Sequence, residues 1–276
     1  MKICIPSKGR AENMSTHLYF DNKDVYVFVE PDEVKKYKIF NPEVNVVDIQ
    51  DIDRGLPYSL NFILDYVKED KYIIASDDIT TFGKRNAEYR YDDLLNPKEI
   101  LETIEKGLDT YALYGIAENN FLYFSNKGSD NKMRYNINCT STEDFYGVNK
   151  KKLLELNIKY DENLTIAEDD DICARVMLKN GGVCVDQEYA INSLSRQPGG
   201  ISWVRKYAAM DKDSSLRHST EKLAEKYGIE FVTFSYDSDG YIRHARLNHR
   251  RVLKRPELVY SNMKRYEEKI ARMKEK

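Results

Sequence analysis

The chain has 276 residues, of which 41% are hydrophobic and 32% charged, and its formal net charge is −3. This composition excludes a largely disordered or fibrous chain, and no stretch approaches the eighteen or more apolar residues of a membrane span. The charged start MKICIPSKGR is unlike a secretory leader and the four cysteines lack C-x-x-C spacing, so we expect a cytoplasmic protein.

Strand and helix patterns alternate over the first 80 residues. Short β-branched or aromatic runs predict strands at KICIPS, DVYVFVE, VNVVDI and KYIIAS. The wider apolar spacing of EVKKYKIF and PYSLNFILDYVKED predicts helices between them. This alternation predicts an α/β fold with a mostly parallel sheet. Ligands of such sheets bind beyond the carboxyl ends of the strands, so the residues there are candidates for a site.

The fourth predicted strand ends in two adjacent carboxylates, Asp77 and Asp78. Neighbouring carboxylates repel one another, and a divalent cation bound to their oxygens removes that cost. We therefore interpret Asp77 and Asp78 as ligands of Mn²⁺ or Mg²⁺. The alternative is that Asp77 only caps the segment that follows.

The first predicted strand ends in the loop PSKGR, residues 6 to 10. A cation at the acid pair would bridge the oxygens of a diphosphate, while Ser7, Lys8, Arg10 and backbone N–H groups would offset the remaining charge. The second strand ends in Glu30. These features together predict a site for a nucleoside diphosphate.

The middle of the chain has mixed patterns. NPKEILETIEKGLDTY predicts a helix with Pro97 in its first turn, GIAENNFLYF and RYNINC predict strands, and FYGVNKKKLLEL predicts a strand that leads into a helix.

Four consecutive acids, Glu168 to Asp171, open the next predicted helix, which ends at Gly181. Acids in a first turn suit the helix dipole, which is a sufficient structural explanation for some of them. Four in a row exceed what capping needs. After the strand GVCVDQEYAI, the loop SRQPGGIS at 195 to 202 has the composition of a mobile flap, and we expect its Arg196 to close over the diphosphate.

The C-terminal part is basic. Residues 201–276 contain 18 Lys and Arg against 11 Asp and Glu, which gives +7, whereas residues 1–200 carry −10. We therefore expect a catalytic domain at 1–200 and a basic region at 201–276 that meets a different partner. The stretch 241–256 contains no acid and supplies the candidate phosphate contacts Arg243, Arg246, Arg250, Arg251, Lys254 and Arg255. A solvated helix or strand face is the alternative.

The order of these motifs resembles the GT-A glycosyltransferases. IPSKGRA with SDDIT and EDDD is, more narrowly, similar to the phage TET-associated and base J glucosyltransferase group over about residues 1 to 200. The resemblance implies a Rossmann-like sheet with flanking helices. It also implies transfer of a sugar from a nucleoside diphosphate sugar to 5-hydroxymethylpyrimidines in DNA, with the basic extension as the DNA contact.

The resemblance also implies roles for single residues. The general base falls to Glu168 or Asp169, followed by Asp170, and an aspartate base opposite the leaving group predicts inversion at the anomeric carbon. Asp78 matches the last acid of an Asp-x-Asp metal motif, but Ser76 stands in place of the first acid, so we expect weaker binding of the ion than is usual in the family. The resemblance places the following residues around the nucleotide sugar: Pro6, Ser7, Lys8, Arg10, Glu30, Arg54, Asn61 and Asp77.

Two other functions compete with this interpretation. A sugar-phosphate nucleotidyltransferase has a similar fold and metal, but it normally has a longer Gly-rich loop than PSKGR. A non-catalytic DNA-binding module does not explain why acids gather at a strand end and a helix start while cationic residues gather elsewhere.

Overall fold

The structure is a computed structural model that describes residues 1–87, 90–118, 134–138, 141–142, 144–164, 167–194, 215–236 and 242–274. Its strands are β1 (Lys2–Pro6), β2 (Val25–Val29), β3 (Asn45–Asp48), β4 (Lys71–Ala75), β5 (Ile79–Arg85), β6 (Tyr91–Asp93), β7 (Leu113–Glu118), β8 (Tyr135–Ile137), β9 (Phe145–Asn149), β10 (Val183–Ser193), β11 (Val232–Tyr236) and β12 (Ile242–Leu247). Its α-helices are α1 (Val34–Phe40), α2 (Leu56–Tyr66), α3 (Lys98–Thr110), α4 (Lys150–Glu155), α5 (Glu168–Leu178), α6 (Ser215–Tyr227), α7 (His249–Lys254) and α8 (Pro256–Lys274).

One large sheet dominates the described part of the chain, in the order β3-β2-β1-β4-β9-β7-β10-β5-β6, with β8 paired to β10. Strands β1 to β4, β6, β7 and β10 run in one direction, and β5, β8 and β9 run in the other. The predicted α/β fold with a mostly parallel sheet is therefore confirmed. The alternation of strands and helices over residues 1–75 explains the parallel half, because each helix returns the chain to the same edge.

Both faces of the sheet are covered, which explains why its central strands are apolar on both sides. In β1, Ile3 and Ile5 point into one core and Cys4 points into the other. Helices α1 and α3 supply residues to the first core, and α2, α4 and α5 supply residues to the second. Each fully buried Ile or Leu contributes about 1.5–3 kcal/mol to folding.

A third core joins α5 to the C-terminal elements. Its residues are Leu164, Ala174, Leu223, Tyr227, Phe231, Val232, Leu247, Val252, Val259 and Met263. Helix α5 therefore packs against the sheet through one face and against α6, α7 and the hairpin β11–β12 through another. This arrangement brings the described C-terminal segments, 215–236 and 242–274, against the helix that begins with the four acids.

Some elements differ from their sequence-based expectation. Strands β5 and β6 and the hairpin β11–β12 were not anticipated, because polar and charged residues interrupt their apolar pattern. The strand expected at GIAENNFLYF appears as β7, which ends at Glu118, and residues 119–133 lie outside the described residues. In the described part of the chain, no helix combines the length and the apolar character that crossing a bilayer requires.

Candidate active site

The PSKGR loop contacts the acid pair at the end of β4. The Arg10 Nη1 atom donates to Asp77 Oδ1 at 2.6 Å and to Asp78 Oδ2 at 2.8 Å. The exposed fractions of Arg10, Asp77 and Asp78 are only 5%, 4% and 7%. The Ser7 hydroxyl donates to the second oxygen of Asp77. The structure thus brings together the loop and the acids that the sequence analysis assigned to one site.

Ser76, which stands where the metal motif has its first acid, supports Asp78. Its hydroxyl donates to Asp78 Oδ1 at 2.8 Å. The turn is held from the other side by Thr16, whose hydroxyl donates to the Ser76 carbonyl at 2.6 Å and accepts from the Ile79 N–H at 2.9 Å. Burial raises the pKa of Asp77 even though Arg10 opposes this effect. The acid pair is therefore rigidly placed, and a single guanidinium balances its charge only in part.

Two further acids, Asp144 and Glu118, lie at the same edge of the sheet. Asp144 directly precedes β9, and its carbonyl accepts from the Ser76 N–H at 2.7 Å. Burial, together with the negative charges of Glu118 and Asp78, raises the pKa of Asp144 to about 7. The Ser193 hydroxyl donates to Asp144 Oδ2 at 3.1 Å. The tips of β4, β7 and β9 therefore carry more negative than positive charge.

The sequence analysis missed Asp144 and Glu118 because each is a single acid without a neighbouring motif. The position of Asp144 directly before a predicted strand was the available signal. A strand antiparallel to β4 starts where β4 ends, so its preceding residue lies beside the acid pair.

The surplus negative charge suits a hard divalent cation. Among the described residues, no set of three or more His, Cys, Asp or Glu side chains is arranged to hold a metal ion. The donors at this edge are carboxylate and hydroxyl oxygens, which suit Mg²⁺ and Mn²⁺. Mg²⁺ is usually bound through one or two carboxylates together with substrate phosphates. The residues therefore fit a cation whose coordination is completed by a diphosphate.

A second set of ion pairs surrounds Lys8. Its Nζ atom donates to Glu30 Oε1 at 2.9 Å and to Asp53 Oδ1 at 2.5 Å. Glu30 Oε1 also accepts from the Asp53 N–H at 3.0 Å. Pro6 is the last residue of β1 and pairs with Phe28 of β2. The Glu30 side chain, which binds Lys8 and the Asp53 N–H, is therefore buried, whereas the Asp53 carboxylate is exposed.

Arg54 and Asn61 both attach to the segment 160–162. Asn61 Nδ2 donates to the Tyr160 carbonyl at 3.0 Å, and Asn61 Oδ1 accepts from the Tyr160 N–H at 2.8 Å. Glu162 accepts from Asn61 at 3.0 Å and from Arg54 Nη2 at 2.8 Å. Arg54 also stacks over the Tyr58 ring, with 4.7 Å between its Cζ atom and the ring centroid.

The four acids at the start of α5 differ in their surroundings. Ala167, directly before them, has the left-handed backbone φ of 66°. Asp171 is fully buried among positive charges, and Asp170 is buried and accepts the Leu247 N–H at 3.0 Å. Glu168 and Asp169 are half-buried.

The Asp170 side chain is almost completely shielded from solvent. Burial and then the neighbouring Asp169 carboxylate raise its pKa to about 7, although the Leu247 N–H and Arg246 oppose these effects. The His249 Nε2 atom lies 3.1 Å from the Asp170 carbonyl and 3.5 Å from its Oδ1 atom. Burial lowers the pKa of His249, which favours its neutral form.

The segment around Thr142 connects the acid pair of β4 with the start of α5. The Thr142 N–H donates to Cys173 Sγ of α5 at 3.3 Å. Ser141 lies next to it and hydrogen bonds to Asp170 through its side chain. Two residues further on, Asp144 accepts from Ser76 at the end of β4. Ser141 and Asp144 thus link the two groups of acids, since one contacts the start of α5 and the other contacts the end of β4.

A basic surface adjoins the start of α5. In the described part of the C-terminal region its exposed members are Arg246, Arg250, Arg251, Lys254 and Arg255. Arg246 directly precedes Leu247, whose N–H binds Asp170. Arg251 also donates to the Glu230 carbonyl at 3.3 Å. Arg196 and the segment 195–202 lie outside the described residues, as does the side chain of Arg243.

Comparison with known proteins gives a family and a fold. The model of the family described as TET-associated glycosyltransferase matches residues 1–196. No curated protein matches the chain. Glucosyl-3-phosphoglycerate synthase from Mycobacterium tuberculosis, solved with phosphoglyceric acid, has a TM-score of 0.50 at 11% identity, covering 91% of this chain and 90% of that chain. This likeness supports the fold alone.

Two other solved structures are similar at lower scores. A mannosyltransferase from Pyrobaculum calidifontis in complex with GDP-Man and Mn²⁺ has a TM-score of 0.49 at 13% identity, covering 83% of this chain and 71% of that chain. S. aureus TarS 1–349 in complex with UDP-GlcNAc has a TM-score of 0.47 at 14% identity, covering 83% of this chain and 73% of that chain.

Proposed function

The chain belongs to the TET-associated glycosyltransferase family, and from this premise we propose that it transfers a sugar from a nucleoside diphosphate sugar to a 5-hydroxymethylpyrimidine in DNA. In this proposal residues 1–200 bind the donor and carry the catalytic groups, and residues 201–276 contact the DNA. One observation carries it: Arg246 begins the exposed basic surface one residue before Leu247, whose N–H binds Asp170. Cations suited to nucleic-acid phosphates thus lie beside carboxylates suited to proton transfer.

The donor diphosphate would lie between the PSKGR loop and the acid pair. Ser7 and Arg10 already contact Asp77 and Asp78 there. Lys8 is half-exposed, and its ammonium group forms ion pairs with the buried Glu30 and the exposed Asp53. A diphosphate that displaced the Asp53 carboxylate would gain a charge-assisted hydrogen bond from Lys8. Arg54, Asn61 and the flap residue Arg196 complete the proposed donor site.

A Mn²⁺ or Mg²⁺ ion would be held by Asp78, with Asp77 beside it. The charges of Asp144 and Glu118 would also act on the ion, because Asp144 interacts electrostatically with both Asp78 and Glu118. When bound, such an ion neutralises charge on the phosphate oxygens of the leaving group. Arg10 stays buried against both acids and offsets the repulsion between their carboxylates. Ser76 occupies the position of the first acid in the motif, and its hydroxyl orients Asp78.

Asp169 is the acid best suited to act as general base. Asp170 and Asp171 are buried and engaged by protein donors, whereas no hydrogen bond to the Asp169 carboxylate is present among the described residues. A hydroxymethyl group is a poor nucleophile, so a carboxylate that takes its proton speeds attack on the anomeric carbon. Glu168 is the second candidate for this role. Attack opposite the leaving group gives inversion.

A transfer assay tests this function. The protein is incubated with Mn²⁺ or Mg²⁺ and a panel of nucleotide sugars, with hydroxymethylated DNA or with an unmodified duplex of the same sequence. We expect release of nucleoside diphosphate that requires one sugar and the hydroxymethylated duplex. Equal release with both duplexes would contradict the DNA acceptor, and release of pyrophosphate from a nucleoside triphosphate would identify a nucleotidyltransferase instead. An NMR spectrum of the product linkage determines the stereochemistry.

A further inference from the structure

Lys226 of α6 is a buried cation between two carboxylates. Its Nζ atom lies 2.7 Å from Asp161 Oδ2 and 2.6 Å from Asp171 Oδ1. The Lys226 side chain is only 4% exposed, and Asp171 is not exposed at all. The family match ends at residue 196, so this contact comes from a part of the chain that the match does not cover.

On one side, Lys226 fixes the first turn of α5. Asp171 also binds Arg175, whose Nε atom donates to Asp171 Oδ2 at 2.8 Å, and it accepts from the Tyr227 hydroxyl at 2.9 Å. Three donors therefore surround a carboxylate only two residues after Asp169. Because the backbone of a helical turn is rigid, the position of Asp171 determines where Asp169 lies.

On the other side, Lys226 fixes the segment that holds Arg54 and Asn61. Asp161 is followed directly by Glu162, which accepts from Arg54 at 2.8 Å and from Asn61 at 3.0 Å. Asp161 Oδ1 also accepts from the Asn163 N–H at 3.0 Å. The single ammonium group thus contacts both the turn of the proposed base and the segment next to the proposed donor site.

We propose that Lys226 is a positioning residue of the transferase centre. It fixes the first turn of α5 and the segment 161–163 relative to each other. The inference rests on the proposed function, because it assigns Asp169 to the base and Arg54 and Asn61 to the donor site. Without the ammonium group, Asp161 and Asp171 would face each other as like charges, and the two segments would separate.

The charge of Lys226 also acts on the acids of α5. Burial raises the pKa of Asp171, but Arg175 and Lys226 lower it to about 2. Among the described residues, Tyr227, Asp161 and Tyr266 of α8 also face Asp171. Asp169 faces Asp170 and Cys173 on its own helix and His249 on α7. Removal of the positive charge beside Asp161 and Asp171 makes the ionised carboxylates of this cluster less stable, and the acid limb of the pH profile of kcat reports such a change.

The test compares Lys226→Met, which removes the charge, with Lys226→Arg, which keeps it. For Lys226→Met we expect kcat to fall about 10- to 100-fold, because a small displacement of a catalytic group has an effect of this size. The acid limb of the pH profile of kcat should move upward by roughly one pH unit. In Lys226→Arg, which keeps the charge, the acid limb should stay at its wild-type pH. Tyr114→Phe is the matched control, since it removes a buried hydroxyl that donates to Asp186 at 3.0 Å in another core.

Hydrogen exchange gives a readout that does not depend on the transfer reaction. Lys226→Met should speed amide exchange in the segments 158–164 and 168–175 together, and Tyr114→Phe should leave both unchanged. Unchanged exchange in both segments, or an unshifted acid limb, would overturn the positioning role.

If Lys226→Met does not fold, Asp161→Asn replaces it. For this variant we expect accelerated exchange at 158–164 and a raised KM for the donor, without an upward shift of the acid limb. If the wild-type protein transfers no sugar to DNA, but Lys226→Met still shows these exchange effects, the proposed function is contradicted and the positioning role is retained.

Discussion

Leu247 donates its backbone N–H to the Asp170 carboxylate at 3.0 Å, and the two residues are 77 positions apart in the chain. Leu247 lies beyond residue 196, where the family match ends. The surroundings of the acids on α5 are therefore built from both the family-matched segment and the C-terminal region. That region contributes to the electrostatics of the proposed catalytic centre as well as presenting a basic surface.

The first prediction separates the acids of α5. Asp169→Asn should lower kcat by about 10²- to 10⁴-fold, because the acceptor hydroxyl loses its base, while donor affinity stays within about twofold. The measurement is initial-rate nucleoside diphosphate release together with calorimetric binding of the same nucleotide. Glu162→Gln is a useful contrast, since it changes a donor-side acid and should raise KM more than it lowers kcat. An Asp169→Asn variant with wild-type kcat would exclude this residue as the base.

The second prediction concerns pH and Asp170. Its pKa is about 7 in the folded protein, because of burial and then the Asp169 charge, against about 3.9 for an unfolded Asp. The folded state therefore binds more protons than the unfolded state between these values, and this group lowers stability as pH rises through the window. Between pH 5 and pH 8 we expect wild type to lose about 2–3 kcal/mol relative to Asp170→Asn. Urea unfolding of both proteins at several pH values measures this difference, and parallel stability curves would contradict it.

The third prediction concerns the divalent cation. Mn²⁺ should tighten binding of the nucleoside diphosphate by wild type, and Asp78→Asn should lose at least about tenfold of this enhancement because a carboxylate ligand is removed. Asp65→Asn is the control, since Asp65 is an exposed acid paired with Lys159 on the surface. Calorimetry with and without Mn²⁺, supported by electron paramagnetic resonance of the free ion, gives the comparison. Equal enhancement in Asp78→Asn would remove this residue from the metal site.

The fourth prediction concerns the basic surface. Arg250 and Lys254 are exposed and four residues apart on α7, so they lie on one face. The double substitution Arg250→Ala/Lys254→Ala should weaken DNA binding at low salt and reduce the slope of log K against log salt by up to about 2. Lys35→Ala/Lys38→Ala on α1 removes the same charge elsewhere. If both double variants change the slope equally, the surface on α7 is not a specific contact.

The sequence predicted the part of the fold that depends on local patterns. Strands β1 to β4 and helices α1 and α2 follow from short β-branched runs that alternate with wider apolar spacing. The acid pair Asp77 and Asp78 stood out because two carboxylates directly follow an apolar strand. Their contact with Arg10 followed from the general rule that the ends of neighbouring parallel strands meet.

The rest of the site depends on contacts between distant residues. Asp144 and Glu118 carry no motif, and only the antiparallel placement of β9 beside β4 brings Asp144 to the acid pair. Lys226 is one of two lysines in a charged helix, and its burial depends on the third core. The pattern of charge along residues 201–276 predicted a basic surface, but it could not show which cation points inward.

The bond between Leu247 and Asp170 and the ion pair between Lys226 and Asp171 also have a consequence for biosynthesis. Domains generally fold from the N-terminus while the ribosome is still elongating the chain. A nascent chain of 200 residues contains the whole large sheet but neither of these partners, so Asp170 and Asp171 cannot yet take their final environment. Activity should therefore emerge only after Lys226 and Leu247 have been translated, when every strand of the large sheet is already part of the chain.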